Sequence, residues 1–134
     1  MTSFLALDIG TKRIGVAVAD TTVSIAVPLT TIEVDGNELE TIKRIIVEQS
    51  AQKVIVGYPR NQSGEATAQT AISEAFGNKL EDMIEVIYQD ESVTSIAAEQ
   101  LLKASGKPYE KGDIDSLAAS IILQDYLEAH RAAQ

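Results

Sequence analysis

Cysteine is absent from the 134 residues, and there is a single histidine, His130, close to the C-terminal end. A disulfide framework and a thiolate zinc site are therefore excluded, and an imidazole zinc site has almost nothing to use. The lack of cysteine also fits a reducing compartment. No stretch approaches ~20 consecutive apolar residues, the length a membrane-spanning helix needs. The opening MTSFLALDIG has no basic segment followed by a long apolar run, so no secretory leader is expected. The expected location is cytoplasmic. Basic residues are scarce, 11 Lys and Arg against 20 Asp and Glu, for a formal net charge of −9. That balance argues against a broad phosphate-gripping surface. Even so, Lys12, Arg13, Arg60, Lys107 and Lys111 all fall in segments that read as loops, while Glu38, Glu48, Glu81 and Glu85 are expected on helix faces that meet solvent. What is present is an ordinary globular composition, 45% hydrophobic and 23% charged, at a length that suits one domain over residues 1–134.

Residues 3–9 (SFLALDI) and 14–19 (IGVAVA) are short apolar runs joined by Gly10-Thr11-Lys12-Arg13, which predicts a β-hairpin. A third run, 24–32, contains Pro28 and should lie at a sheet edge or carry a bulge. The rhythm then turns helical over 37–50, with Leu39, Ile42, Ile45, Ile46 and Ser50 on one side and Asn37 as a candidate N-cap. Val54-Ile55-Val56 reads as a buried strand, and 65–81 as a helix with Ala68, Ile72, Phe76 and Leu80 along one face. A strand at 84–88 and helices at 94–104 and 115–131 follow, the last apolar nearly all round from Leu117 to Leu123. The helix-linked strands should be parallel, so the fold class is α/β, with a mixed five-stranded sheet formed by an antiparallel meander and then parallel strands.

Three acidic positions need explaining. Asp8 interrupts the run Phe4-Leu5-Ala6-Leu7-x-Ile9, where a carboxylate is costly unless paired, hydrogen-bonded or bound to a cation. A turn-capping role through the amides of Gly10 or Thr11 is the plain alternative. Asp90-Glu91 lies where a parallel strand ends, the place where open α/β sheets bind ligands, although Asp90 reads more simply as a surface turn residue with Thr94 or Ser95 capping the next helix. Asp113-Ile114-Asp115 precedes the final helix, and either aspartate could be its N-cap. Ala118 and Ala119, one turn on, would let that helix approach the sheet closely. Convergent carboxylates without His or Cys suit hard cations with oxygen ligands, Mg²⁺ or Mn²⁺. The loop Gly57-Tyr58-Pro59-Arg60-Asn61-Gln62-Ser63-Gly64 could present amides and Arg60 to a phosphate, though it lacks the ending of a Walker loop.

Leu5-Ala6-Leu7-Asp8-Ile9-Gly10-Thr11-Lys12-Arg13-Ile14-Gly15-Val16-Ala17 resembles the opening of the YqgF/RuvX family of pre-16S rRNA nucleases, also described as Holliday junction resolvase-like. Val56-Gly57-Tyr58-Pro59 with Gly64, Asp90-Glu91 with Thr94-Ser95 and Ala98, and Ile114-Asp115 with Ala118-Ala119 and Ile122-Leu123-Gln124-Asp125-Tyr126-Leu127 match it in order along the chain. The resemblance implies an RNase H-like fold, metal-dependent hydrolysis of phosphodiester bonds, and processing of the 5′ end of pre-16S ribosomal RNA. It places the catalytic and metal-binding acids at Asp8, Glu91 and Asp115. It implies a nucleic-acid partner, precursor ribosomal RNA or structured DNA, and a ribosomal particle as a further one. The family often has arginine after the Asp-Glu pair, where this chain has Ser92.

Such a site suits an in-line displacement assisted by two ions, with Lys12, Arg13 and Arg60 holding flanking phosphates. Two rivals come with it. A non-catalytic binding module of the same fold would bind nucleic acid without cutting. A phosphotransferase of the actin/sugar-kinase class also begins Asp-Ile-Gly-Thr, but needs two lobes where this length supplies one.

Overall fold

A computed structural model describes residues 3–22, 25–59, 68–91, 100, 101, 103–106 and 111–131. The hairpin expected around Gly10 forms between β1 (Ser3–Ile9) and β2 (Arg13–Asp20). Gly10 N–H donates to Arg13 O at 2.9 Å, and a Cβ on Gly10 would sit 2.7 Å from the same oxygen. Only glycine closes this turn without displacing backbone. β3 (Ile25–Glu33) pairs antiparallel with β2 and forms the outer edge of the sheet. Pro28 meets both expectations for a proline in a strand. It lies on the edge strand, and the register slips beside it, Val16 pairing with Thr30 and Ala17 with Pro28, so that Leu29 is extra.

α1 (Glu38–Glu48) leads into β4 (Ala51–Pro59), parallel to β1, and α2 (Ala68–Leu80) leads into β5 (Glu85–Glu91), parallel to β4. The final helix is α3 (Lys111–Arg131). The strand order is β3-β2-β1-β4-β5, the mixed sheet predicted from the sequence. Of the expected helix 94–104, residues 100, 101, 103 and 104 are helical and the others lie outside the described residues. No helix among the described residues is long and apolar enough to cross a membrane.

Alternation along the strands divides the core in two. Leu5, Leu7, Ile9, Val54 and Val56 pack with Ile42 and Ile46 of α1 and Leu80 of α2. On the opposite face Ala6, Ala17, Ala19 and Ile55 meet Ala119, Ile122, Leu123 and Tyr126 of α3. The sheet is surfaced with small residues on the α3 side, so α3 packs close to it. Each large aliphatic side chain buried on either face contributes roughly 1.5–3 kcal/mol.

The structure revises four local expectations. The residues of α2 most deeply buried are Thr70, Ser73 and Leu80, while Ile72 is 40% exposed. Gly77 joins that inward face, because a Cβ there would overlap the Tyr88 hydroxyl, which donates to Glu74 O at 3.3 Å. Small residues bring the helix against the sheet, and this close approach overrides the apolar spacing at Ile72. Phe76 and Leu80 pack on the core as that spacing predicts, and the Ala68 side chain lies outside the described residues. Second, β4 runs through Pro59 and β5 through Glu91, longer than their apolar stretches, because ladder pairing continues to Pro59–Glu91. Third, α1 ends at Glu48, since Ser50 adopts φ 53° and leaves the helical path. Asn37 stands at its N-cap position with no side-chain cap bond. Fourth, α3 starts at Lys111, so Asp113 and Asp115 lie inside the helix and neither is its N-cap.

Candidate active site

β1, β4 and β5 run parallel, so their carboxyl ends share one edge of the sheet. Asp8 is the last residue but one of β1 and is half-buried. It follows Ala6 on the face that α3 covers, and it pairs across the hairpin with Gly15 of β2. Gly15 is where α3 comes down on the sheet. A Cβ at this position would overlap the backbone carbonyl of Asp115. Asp8 and Asp115, 107 positions apart in the sequence, are thereby brought together over one glycine. Glu91 is the last residue of β5, with β4 between it and β1, at the same edge. Its side chain lies outside the described residues, as do Arg60, Ser92 and the rest of the loop from residue 60 to residue 64.

The start of α3 is tied to the edge strand. Thr31 Oγ1 donates to Gly112 O at 2.5 Å, and further along the helix Gln124 Oε1 accepts from Ala26 N at 2.9 Å. These bonds set where along the sheet Asp115 falls. Arg13, the first residue of β2, then reaches the helix, its Nε donating to Asp115 Oδ2 at 2.7 Å. That hydrogen bond, followed by the Asp115 charge, raises the Arg13 pKa, and Glu33, its partner across β2 and β3, adds to the effect. Lys12 is exposed at the hairpin tip.

Arg13, Thr31, Glu33, Gly112, Asp113 and Ser116 line an open cleft of about 680 Å³ beside this pair. A second hollow, about 560 Å³, lies at the other end of β1, lined by Ser3, Val18, Asp20, Val27, Glu48 and Ser50, away from Asp8 and Asp115. The acids offer oxygen donors only, a set that fits a hard divalent cation and not zinc. Among the described residues no three His, Cys, Asp or Glu side chains form a cluster able to hold a metal, and the Glu91 side chain is not among those described.

Sequence reasoning singled out both aspartates but not Gly15, without which the Asp115 backbone could not settle beside the strand position that pairs with Asp8. The signal was available, since a glycine inside an otherwise β-branched strand marks a bulge or a close backbone approach. The bond between Arg13 and Asp115 left no such trace, because nothing local relates two residues at opposite ends of the chain.

Comparison with known proteins gives this geometry a family. Residues 2–129 match the RuvX model, described as Holliday junction resolvase. A Chloroflexus aurantiacus protein named pre-16S rRNA nuclease is 43% identical over 134 residues, covering 96% of this chain and 88% of that protein. A Lactococcus lactis protein of the same name is 39% identical, covering 94% of each. Among solved structures, RuvC of T. thermophilus in complex with a Holliday junction substrate superposes with a TM-score of 0.54 at 14% identity, covering 98% of this chain and 96% of that one. The fowlpox virus Holliday junction resolvase gives 0.55 at 16% identity, covering 95% and 99%. The last two are likenesses of fold, and they make the sheet and its helices RNase H-like. With its sequence matched over nearly its whole length, the chain belongs to the RuvX family and is an enzyme of the nuclease class.

Proposed function

We propose that this nuclease hydrolyses phosphodiester bonds at the 5′ end of precursor 16S ribosomal RNA, using a divalent cation, Mg²⁺ or Mn²⁺, held by Asp8, Glu91 and Asp115. The observation that carries the reading is that the backbone of Asp115 lies over Gly15, the cross-strand partner of Asp8, at the sheet edge where β5 ends in Glu91. When bound, such an ion supplies Lewis-acid charge at the phosphoryl group. Asp8 and Asp115 supply oxygen ligands from a rigid strand and a packed helix. Lys12 at the hairpin tip, together with Arg13 and Arg60, contacts flanking phosphates. The substrate class follows from the shared name of the relatives at 37–43% identity. The net charge of −9 leaves little general attraction for a polyanion, which favours an RNA presented within a ribosomal particle. The work of the protein is then cytoplasmic, with residues 1–134 acting as one domain.

A second reading has its own support, since the matching family model is described as Holliday junction resolvase. Cleavage of a four-way DNA junction would use the same carboxylates. Precursor rRNA and labelled junctions are incubated with the wild type and with Asp8→Ala, in Mn²⁺, Mg²⁺ or EDTA. RNA cleavage that needs metal and Asp8 supports the maturation role, and junction cleavage alone supports the second reading. Binding without cleavage would make the protein a non-catalytic module, and normal cleavage by a folded Asp8→Ala would remove Asp8 from the site.

A further inference from the structure

Arg13 and Asp115 lie 102 residues apart in sequence and 2.7 Å apart in the fold. Their side chains are 30% and 24% exposed, so the pair is mostly shielded from solvent. Glu33 stands across from Arg13 on β3, and Asp8 pairs with Gly15 on the face that carries Asp115. One oxygen of a carboxylate placed to ligate a hard cation is thus engaged by a guanidinium. A guanidinium and a divalent ion are rivals for the same negative charge, and their mutual repulsion grows as water is excluded. Arginine suits the part, because it stays charged and holds a carboxylate in a fixed orientation. Resting on the metal reading above, we propose that Arg13 is a positioning residue that competes with the divalent cation for Asp115. Its guanidinium compensates the carboxylate in the ion-free protein, and the cation displaces it on binding.

The test is a Mn²⁺ titration of the purified protein, followed by the electron paramagnetic resonance signal of the free ion. Wild type, Arg13→Ala, Arg13→Gln and Asp8→Ala are compared after circular dichroism has shown which are folded. Removing the rival charge should tighten Mn²⁺ binding by about two- to five-fold, the range that a partly exposed ion pair is worth. Either folded Arg13 variant suffices. Affinity equal to or weaker than wild type overturns the proposal and leaves Arg13 as a plain support for Asp115. Asp8→Ala separates the two ideas. If it weakens Mn²⁺ binding while the Arg13 variants change nothing, the metal reading stands and the competition fails. If it binds as wild type does, the assignment of Asp8 to the metal fails.

Discussion

The carbonyl oxygen of Asp115 occupies the space that a Cβ at Gly15 would need. Backbone therefore meets backbone where α3 crosses β2, one strand away from Asp8. The contact depends on the alanines around it, since Ala6, Ala17, Ala118 and Ala119 are all fully buried. Larger residues on these facing surfaces would lift the helix and carry Asp115 away from the sheet.

Gly15→Ala should destabilise the fold by about 2–3 kcal/mol, the upper part of the overpacking range, because the clash is with helix backbone and no side-chain rotation relieves it. Chemical denaturation measures the loss. Divalent-ion binding should weaken in the same variant, at denaturant-free conditions where it is still folded. A variant as stable as wild type would show that α3 can move away from β2 at little cost.

The revised face of α2 makes a paired prediction. Leu80→Ala removes a fully buried side chain and should cost about 2–5 kcal/mol. Ile72→Ala removes one that is 40% exposed and should cost under about 1 kcal/mol. Equal losses in urea denaturation would restore the face expected from apolar spacing.

Asp125 supplies a pH-dependent test. Burial, and then the neighbouring charge of Glu128, hold its carboxyl above the usual aspartate value. A group with a raised folded pKa favours the fold when protonated. Its contribution is complete below the unfolded value and is lost as pH rises through the folded one. The ionised side chain therefore weakens the fold near neutrality. Asp125→Asn should raise the melting temperature by about a degree at neutral pH, a modest gain because the group is largely exposed. At about pH 3, below the ordinary aspartate value, the two proteins should melt together. A gain of the same size at both pH values would point to packing instead of charge.

Much of the fold was legible because its signals are local. Gly10 announces the hairpin, Pro28 an edge strand with a bulge, and the change from period-two to helical spacing after residue 36 separates the meander from the helix-linked strands. The start of α3 was not legible. Lys111-Gly112 carries no helix-start signal, and it is Thr31, 81 residues earlier, that binds the Gly112 carbonyl. On α2 only Ile72 departs from the expected face, for a related reason. Spacing reports which residues are apolar, whereas Gly77 and Tyr88 decide how closely the helix approaches the sheet.

The sequence by itself determined the strands, their connections and the out-of-place acid Asp8, because alternation, turn chemistry and the cost of placing a carboxylate in an apolar run act over a few residues. It also carried the family, through motifs spread along the chain. Only the tertiary structure decided that Asp115 settles over Gly15, the cross-strand partner of Asp8, and that Arg13 is bound to Asp115. Those relations depend on where a helix from the end of the chain settles on a hairpin from its beginning. Close packing over glycine and alanine sets that position, and no local preference encodes it.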